Sequence, residues 1–357
     1  MADYNLFAAD KNCFIKHSAI HSDLVLDSCP EFEPLVSIII PTFRRPELLR
    51  QAIDSAVSQS CSVSYEIIVV DNERDPAWAE AVDAICRASQ ANCIRLYRNG
   101  HNLGMFGNWN RGVELARGEW LTILSDDDVL LPAFIQTAWD CRAGNAMVVG
   151  EAVKLRSPRE YRASVAGDLQ VTGVRLDDLM VGNVTPGLLG ALVSRRMVLS
   201  IGGFDEDLWP VSDYVFNVKY WTRCGIRKVN REFAIYRWLE NESQKVAALQ
   251  GTVENDMRMK IDLLDYLGCS GLRRHVADFL LRKQSSYTAL VVCPSVNSKF
   301  DAAESMRKLD VRGSHVFAWV ITMLKKGRLS SSMLRTIRRM LWMVAVRGCR
   351  EAQGESA

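Results

Sequence analysis

The chain lacks several motifs that would define other enzyme classes. No GxGxxG follows its first apolar segment, where Pro41 occupies the turn, and no GxxxxGKS or GxxxxGKT is present. Neither a nicotinamide oxidoreductase on a doubly wound sheet nor a phosphate-loop NTPase is expected. The ten cysteines include no CxxC pair, so they read as reduced, mostly buried thiols of a cytosolic protein. Only five histidines occur, and His17 and His21 have no neighbouring cysteine or acidic ligand pattern. They read as a packed or surface pair rather than a metal site. The N-terminus has no basic segment followed by an apolar core, so no signal peptide is expected. The longest apolar run near the C-terminus, 316–324, is nine residues; crossing a bilayer takes about 20. Residues 321–350 contain no acid and eight Lys and Arg, so the remaining 36 basic residues face 42 acidic ones. With no matching motif and an acidic remainder, no nucleic-acid partner is expected.

What is present is a folded-protein composition, 48% hydrophobic and 24% charged in 357 residues. Such a length exceeds one ordinary core. Residues 1–34 are weakly periodic and read as an N-terminal extension ending in a linker. Short apolar runs then alternate with helical patterns. Strands are predicted at 36–40, 66–70, 93–97 and 120–124, with helices at 46–59, 76–89 and 105–117. This alternation predicts an α/β fold whose mostly parallel sheet is flanked by helices. A second half, 133–245, is less regular. It has strands near 147–154 and 228–237, an exposed excursion at 156–183 and a helix at 211–223. Beyond about 246 a mainly helical C-terminal region follows.

Three consecutive acids, Asp126, Asp127 and Asp128, end the strand at 120–124. Like charges at the end of a buried strand repel one another and become favourable together around a hard divalent cation. Pro132 suits the first turn of a following helix. The cluster is therefore expected on a strand-to-helix turn, where open α/β sheets bind ligands.

Four segments in order, VSIIIPTFRRPELLRQAIDSAVSQ (36–59), YEIIVVDN (65–72), NLGMFGNWNRGVELARGEWLTILSDDDVLLP (102–132) and GGFDEDLWPVSDYVFNVKYWTRCG (202–225), resemble the family-2 glycosyltransferases of the GT-A, Rossmann-like fold. The resemblance covers roughly 35–240. It implies a nucleotide-binding half at 35–132 and an acceptor half at 133–245. It further implies that Pro41, Thr42 and Phe43 form a platform for the nucleotide base and that Asp71 accepts from a uracil imino group. Arg44 and Arg45 flank the first turn, where either could meet a diphosphate. Asn102 and Asn110 would lie along the nucleotide-sugar, and Asp126 and Asp127 would contact ribose and metal-bound water. Asp128 would be the protein ligand of Mn²⁺ or Mg²⁺. The resemblance makes Asp213 the catalytic base; Asp205 and Glu206 are structural or acceptor contacts, and Trp209 packs in the core or stacks on a sugar. The chain departs from the family pattern at Trp109, where an arginine is usual, leaving Arg111 as a substitute. It also lacks a glutamate before Asp213 and a histidine near Leu239, where Arg237 could stand in.

The implied function is inverting, metal-dependent transfer of a hexose or N-acetylhexosamine from a UDP-sugar to a lipid-linked O-antigen or capsule intermediate. The rival reading is a noncatalytic nucleotide-sugar-binding subunit of a polysaccharide-synthesis complex. At 332–347, Met333, Leu334, Ile337, Met340, Leu341 and Val344 form a helical stripe, with Arg335, Arg338 and Arg339 away from it. With Trp342, this reads either as an anchor for anionic lipid or as a docked terminal helix. The expected location is cytoplasmic, either free or peripheral on the inner face of the cell membrane.

Overall fold

The computed structural model describes residues 5–7, 11–91, 93–162, 167–239, 242–309 and 331–347. The central parallel unit comes from the apolar runs. Strands β2 (Val36–Thr42), β3 (Tyr65–Asp71), β4 (Ile94–Asn99) and β5 (Trp120–Ile123) pair in parallel in the order β4-β3-β2-β5. Their side chains are buried on both faces, as continuous rather than alternating apolar runs require. Helices α1 (Pro46–Val57), α2 (Pro76–Ala88) and α3 (Gly104–Leu115) supply the crossovers. Proline opens both α1 and α2, where its missing N–H costs nothing, and the Asp75 carboxylate caps α2 by accepting from Ala77 N at 3.0 Å.

The N-terminal residues do more than link. Strand β1 (Ser22–Asp27) pairs antiparallel with β4 and forms one edge of the sheet. That pairing brings the chain after β1 beside the chain before β4. There Cys29 and Cys93 form a disulfide with Cα atoms 5.3 Å apart, so the expectation of uniformly reduced cysteines fails for these two. The other cysteines among the described residues are free; Cys349 lies outside them.

The second half extends the same sheet in the order β5-β9-β7-β10-β6. Its strands are β6 (Val129–Leu130), β7 (Met147–Leu155), β9 (Ala191–Ser194) and β10 (Ile226–Arg237), and β8 (Val171–Gly173) pairs with β10. The helices are α4 (Phe134–Asp140), α5 (Leu176–Val181), α6 (Arg195–Ile201) and α7 (Ser212–Cys224). Two expectations change here. Strand β6 intervenes between the acidic turn and α4, because Val129 and Leu130 pair with β10 before the chain can coil. The region 156–183 is not simply exposed, since α5 buries Asp177, Leu179 and Met180.

Register decides which end of the sheet matters. Strand β9 runs antiparallel to β5, with Ser194 opposite Trp120 and Val193 opposite Leu121. The chain just before β9, including the turn Pro186–Leu188, therefore lies beyond the C-terminal end of β5. Strand β7 is antiparallel to β9, and β10 is parallel to β7. Arg237, at the end of β10, consequently reaches the same edge as Asp126–Asp128.

The C-terminal region is helical, as expected, with α8 (Val246–Tyr266), α9 (Gly271–Tyr287), α10 (Cys293–Val296), α11 (Ala302–Lys308) and α12 (Ser331–Val346) among the described residues. Helix α12 packs against α5 and α9. Ile337, Met340, Leu341 and Val344 of the stripe picked out above are exposed rather than buried. Trp342, Ala345 and Val346 are buried, and Trp342 Nε1 donates to Gln284 Oε1 at 3.1 Å. Arg339 pairs with Asp177 at 2.7 Å and Asp178 at 2.9 Å, while Arg338 donates to the Val181 carbonyl at 3.0 Å. Trp342 is thus a core residue, as the docked-helix reading expects, and not part of a membrane interface. Lys325, Lys326, Arg328 and Arg350 lie outside the described residues.

Candidate active site

The end of β2 and the turn after β5 meet at the C-terminal edge of the sheet. Thr42 Oγ1 donates to Asp126 Oδ2 at 2.8 Å, and Phe43 N donates to the same oxygen at 3.3 Å. Arg45 Nη1 donates to Asp127 Oδ2 at 2.9 Å and lies 3.5 Å from Asp126 Oδ1. Asp128 Oδ1 accepts from Arg237 N at 2.9 Å. The Arg237 guanidinium turns beneath the acids. It donates to the Asp127 carbonyl, to the Asp126 carbonyl at 3.4 Å and to Gln51 Oε1 at 2.8 Å. Arg237 is only 3% exposed, so it holds the acidic turn in place rather than reaching out to a diphosphate.

Burial dominates the electrostatics of this turn. It pushes the Asp126 carboxyl up to about 6, against the opposing pull of Thr42 and Arg45. It pushes Asp128 up to about 8, reinforced by the neighbouring Asp127 charge and only partly offset by the Arg237 N–H and charge. The Asp128 carboxyl therefore lacks enough positive charge to stay ionised near neutral pH. This fits the chemistry of a hard-cation ligand, which supplies that charge. Among the described residues no three His, Cys, Asp or Glu side chains converge as a complete metal shell.

Asp213 sits in the first turn of α7. Its Oδ2 accepts from Asn183 Nδ2 at 2.9 Å and from Gly187 N at 2.8 Å, and its Oδ1 accepts from Tyr214 N at 2.8 Å. Asn183 is itself held by Asn217, whose Nδ2 donates to Asn183 Oδ1 at 2.7 Å. Burial raises the Asp213 carboxyl above its ordinary range, and the three N–H groups work against that rise. Because Gly187 belongs to the turn that precedes β9, Asp213 is tied to the same sheet edge as the acidic turn. Nothing in the sequence signals Asn183, Gly187 or Asn217, since 30 residues separate Asn183 from Asp213.

Other residues singled out above have different occupations. Pro41 is buried within β2, opposite Val70 of β3. Phe43 is 39% exposed at the edge, with the Arg44 guanidinium 5.0 Å from its ring centroid. Arg44 pairs with Glu73, so Arg45 is the arginine that reaches the acidic turn. Asp71 is fully buried. Its Oδ1 accepts from Glu73 N and its Oδ2 from Arg98 Nε, each at 3.0 Å. Asn102 Oδ1 accepts from Asn72 and from Gly104 N, both at 2.8 Å, and so starts α3.

Asn110 is 3% exposed and engages Phe204, donating to its carbonyl and accepting from its N–H, both at 2.8 Å. Its burial turns it away from a nucleotide-sugar. This clamp needs Gly203, whose φ of +76° and close approach to Asn110 and Phe14 leave no room for a side chain. Trp109 is buried, edge-on to Phe106 and Phe204. Arg111 faces the N-terminal segment, donating to the carbonyls of His17 and Ile20 and to Ser22. It cannot replace a nucleotide-contacting arginine at position 109. Asp205 and Asp207 each pair with Lys11 at 2.7 Å, and Glu206 pairs with His17 at 2.9 Å, so these acids anchor the N-terminal segment. Trp209 packs half-buried against the core, and its carbonyl accepts from Asn255 at 3.1 Å.

Residues 37–153 match the family model described as glycosyl transferase family 2. Residues 37–153 are thus similar to the family 2 glycosyltransferases, and the chain is a sugar-transferring enzyme. It is similar to the GalNAc(5)-diNAcBac-PP-undecaprenol beta-1,3-glucosyltransferase of Campylobacter jejuni, with 25% identity over 284 residues, covering 73% of this chain and 87% of the relative. It is also similar to the abequosyltransferase RfbV of Salmonella typhimurium, with 25% identity over 327 residues, covering 83% and 94%. Among solved structures, the mannosyltransferase PcManGT from Pyrobaculum calidifontis, in complex with GDP-Man and Mn²⁺, aligns with a TM-score of 0.49 and 18% identity over 89% of this chain and 87% of that one. No helix of the described residues is long and apolar enough to cross a membrane.

Proposed function

We propose that the chain is an inverting, metal-dependent glycosyltransferase that moves a hexose or N-acetylhexosamine from a UDP-sugar to a lipid-linked glycan in polysaccharide biosynthesis. One observation carries the reading. Asp213 is a desolvated carboxylate held only by N–H donors, at the same sheet edge as an acidic turn. A carboxylate without a cationic partner, raised by burial, is suited to accept a proton.

In this mechanism Asp213 takes the proton from an acceptor hydroxyl as the oxygen attacks the anomeric carbon. The carbon–oxygen bond to the diphosphate breaks in the same displacement, so an α-linked donor yields a β-glycoside and UDP leaves with the bonding electrons. Asp128 is the residue that would hold Mn²⁺ or Mg²⁺, because its Oδ2 has no partner among the described residues. A cation there neutralises charge on a departing diphosphate. Arg45, partly exposed beside Asp127, adds a second positive group. Phe43 offers an exposed face on which a pyrimidine can stack, and Asp126, fixed by Thr42 and Phe43, faces the ribose. Arg237, Asn102 and Asn110 shape the site without touching ligand. Contact with an anionic membrane through 321–350 would bring the enzyme to its acceptor.

A donor screen tests the reading, with released UDP as readout, a lipid-linked acceptor and Mn²⁺. UDP is expected from at least one UDP-hexose or UDP-N-acetylhexosamine, and chelation with EDTA should stop its release. If no donor is consumed while UDP-sugar still binds, the chain is a noncatalytic nucleotide-sugar-binding subunit.

A further inference from the structure

Helices α9 and α12 turn one face each to the same core, through Ala277 and Leu281 on α9 and Trp342, Ala345 and Val346 on α12. On α9 the opposite face carries Leu272, Val276 and Phe279, with Leu272 81% and Phe279 56% exposed. On α12 it carries Ile337, Met340 and Val344, with Met340 57% and Val344 72% exposed. Both sets follow helical spacing, so each is a continuous stripe. The two helices lie side by side, joined by the Trp342–Gln284 hydrogen bond. Soluble chains rarely leave contiguous apolar surface of this kind uncovered.

The charge around the stripes indicates what covers them. The only acid of α9, Asp278, is paired with Arg274 at 2.8 Å, and α12 contains no acid. Arg273 and Arg347 are exposed beside the stripes, and Lys283 Nζ lies 5.3 Å from the Phe279 ring centroid. Apolar side chains ringed by basic ones suit the boundary between headgroups and acyl chains, where both find complementary partners. We propose that the outer faces of α9 and α12 form one surface that rests on a phospholipid bilayer containing anionic lipid. This deepens the membrane contact proposed above and rests on it. It adds a second helix, far from the basic tail in sequence, and fixes which side of the molecule faces the lipid.

The test is co-sedimentation of the full chain with phosphatidylcholine vesicles, with and without phosphatidylglycerol. Two paired variants are compared with the unaltered chain, Leu272→Glu/Phe279→Glu on α9 and Met340→Glu/Val344→Glu on α12. Each is expected to lower binding to anionic vesicles by about tenfold, because each places two charges in the apolar contact. UDP release with a soluble acceptor should stay unchanged. Serine versions of the same pairs replace any variant that fails to fold. If only the α12 pair matters, the shared face is overturned while the tail contact survives. If neither pair matters, the shared face is overturned; if the unaltered chain does not bind anionic vesicles, the tail contact falls with it. A dimer that dissociates in the variants, without vesicle binding, would assign the face to a second copy. Donor consumption is measured separately, so failure here leaves the transfer reaction standing.

Discussion

The two carboxylate stations at the sheet edge are built on opposite principles. The acidic turn packs Asp126, Asp127 and Asp128 over a buried guanidinium, with Arg45 at its rim. Its backbone is pinned, but two arginines face three acids, and burial still raises Asp126 to about 6 and Asp128 to about 8. Asp213 has only N–H groups around it, from Asn183, Gly187 and Tyr214. Crowded acids with too little positive charge call for a further cation. A single desolvated carboxylate among neutral donors is relieved instead by taking a proton. The comparison separates a station for holding charge from a station for moving a proton.

The largest expected effect breaks the second station. Asp213→Asn keeps the shape but removes the base, and transfer should fall by about a thousandfold. UDP affinity, measured by calorimetry, should stay nearly unchanged. Unimpaired turnover would remove Asp213 from the mechanism.

Breaking the first station should act differently. Arg237→Met takes away the donor to two carbonyls and leaves three acids without their buried cation. Unfolding in urea should show a loss of about 3 kcal/mol. Donor affinity should drop with it, because the acidic turn loses its support. A variant as stable as the parent would mean that the turn holds its shape without Arg237.

The smallest effect sharpens the contrast. Asn183 donates to the ionised form of Asp213 and so opposes the upward push of burial. Asn183→Ala removes that opposition, and the Asp213 carboxyl should rise further. A base works only when deprotonated, so activity appears as pH rises through its pKa. The acid limb of the rate profile should therefore move to higher pH by about one unit, the equivalent of one charge-assisted hydrogen bond. A lower rate with an unmoved limb would make Asn183 a structural residue only.

Much of the frame was legible in the chain itself. The buried runs in β2 to β5 and the proline-initiated helices α1 and α2 are local patterns, and the structure places them within a few residues of expectation. The acidic turn was legible for the same reason, since three adjacent acids after an apolar strand are a local fact. Other residues were misread because their roles are set at a distance. Asn110 and Arg111 sit on a helix expected to line the nucleotide, yet their partners are Phe204 and the segment His17–Ser22. Of two adjacent arginines, Arg44 turns to Glu73 and Arg45 to Asp127. No spacing rule distinguishes them, because their directions depend on where β3 and the acidic turn end in space. Helix α12 shows the same limit, since an amphipathic pattern shows that a helix has two faces but not which one meets the core. The ion pairs of Arg339 with Asp177 and Asp178, and the burial of Trp342, decided it.

Sequence alone determined the order of strands and helices, the acids at the end of β5 and the class of chemistry they suggest, because these rest on neighbours along the chain. Tertiary structure alone decided which charges are neutralised and which are not. It drew Arg237 under the acidic turn across 109 residues, gave Asp213 neutral partners and bonded Cys29 to Cys93. The physical reason is that a side chain's charge state and reach depend on desolvation and on partners brought from elsewhere, and only packing sets those.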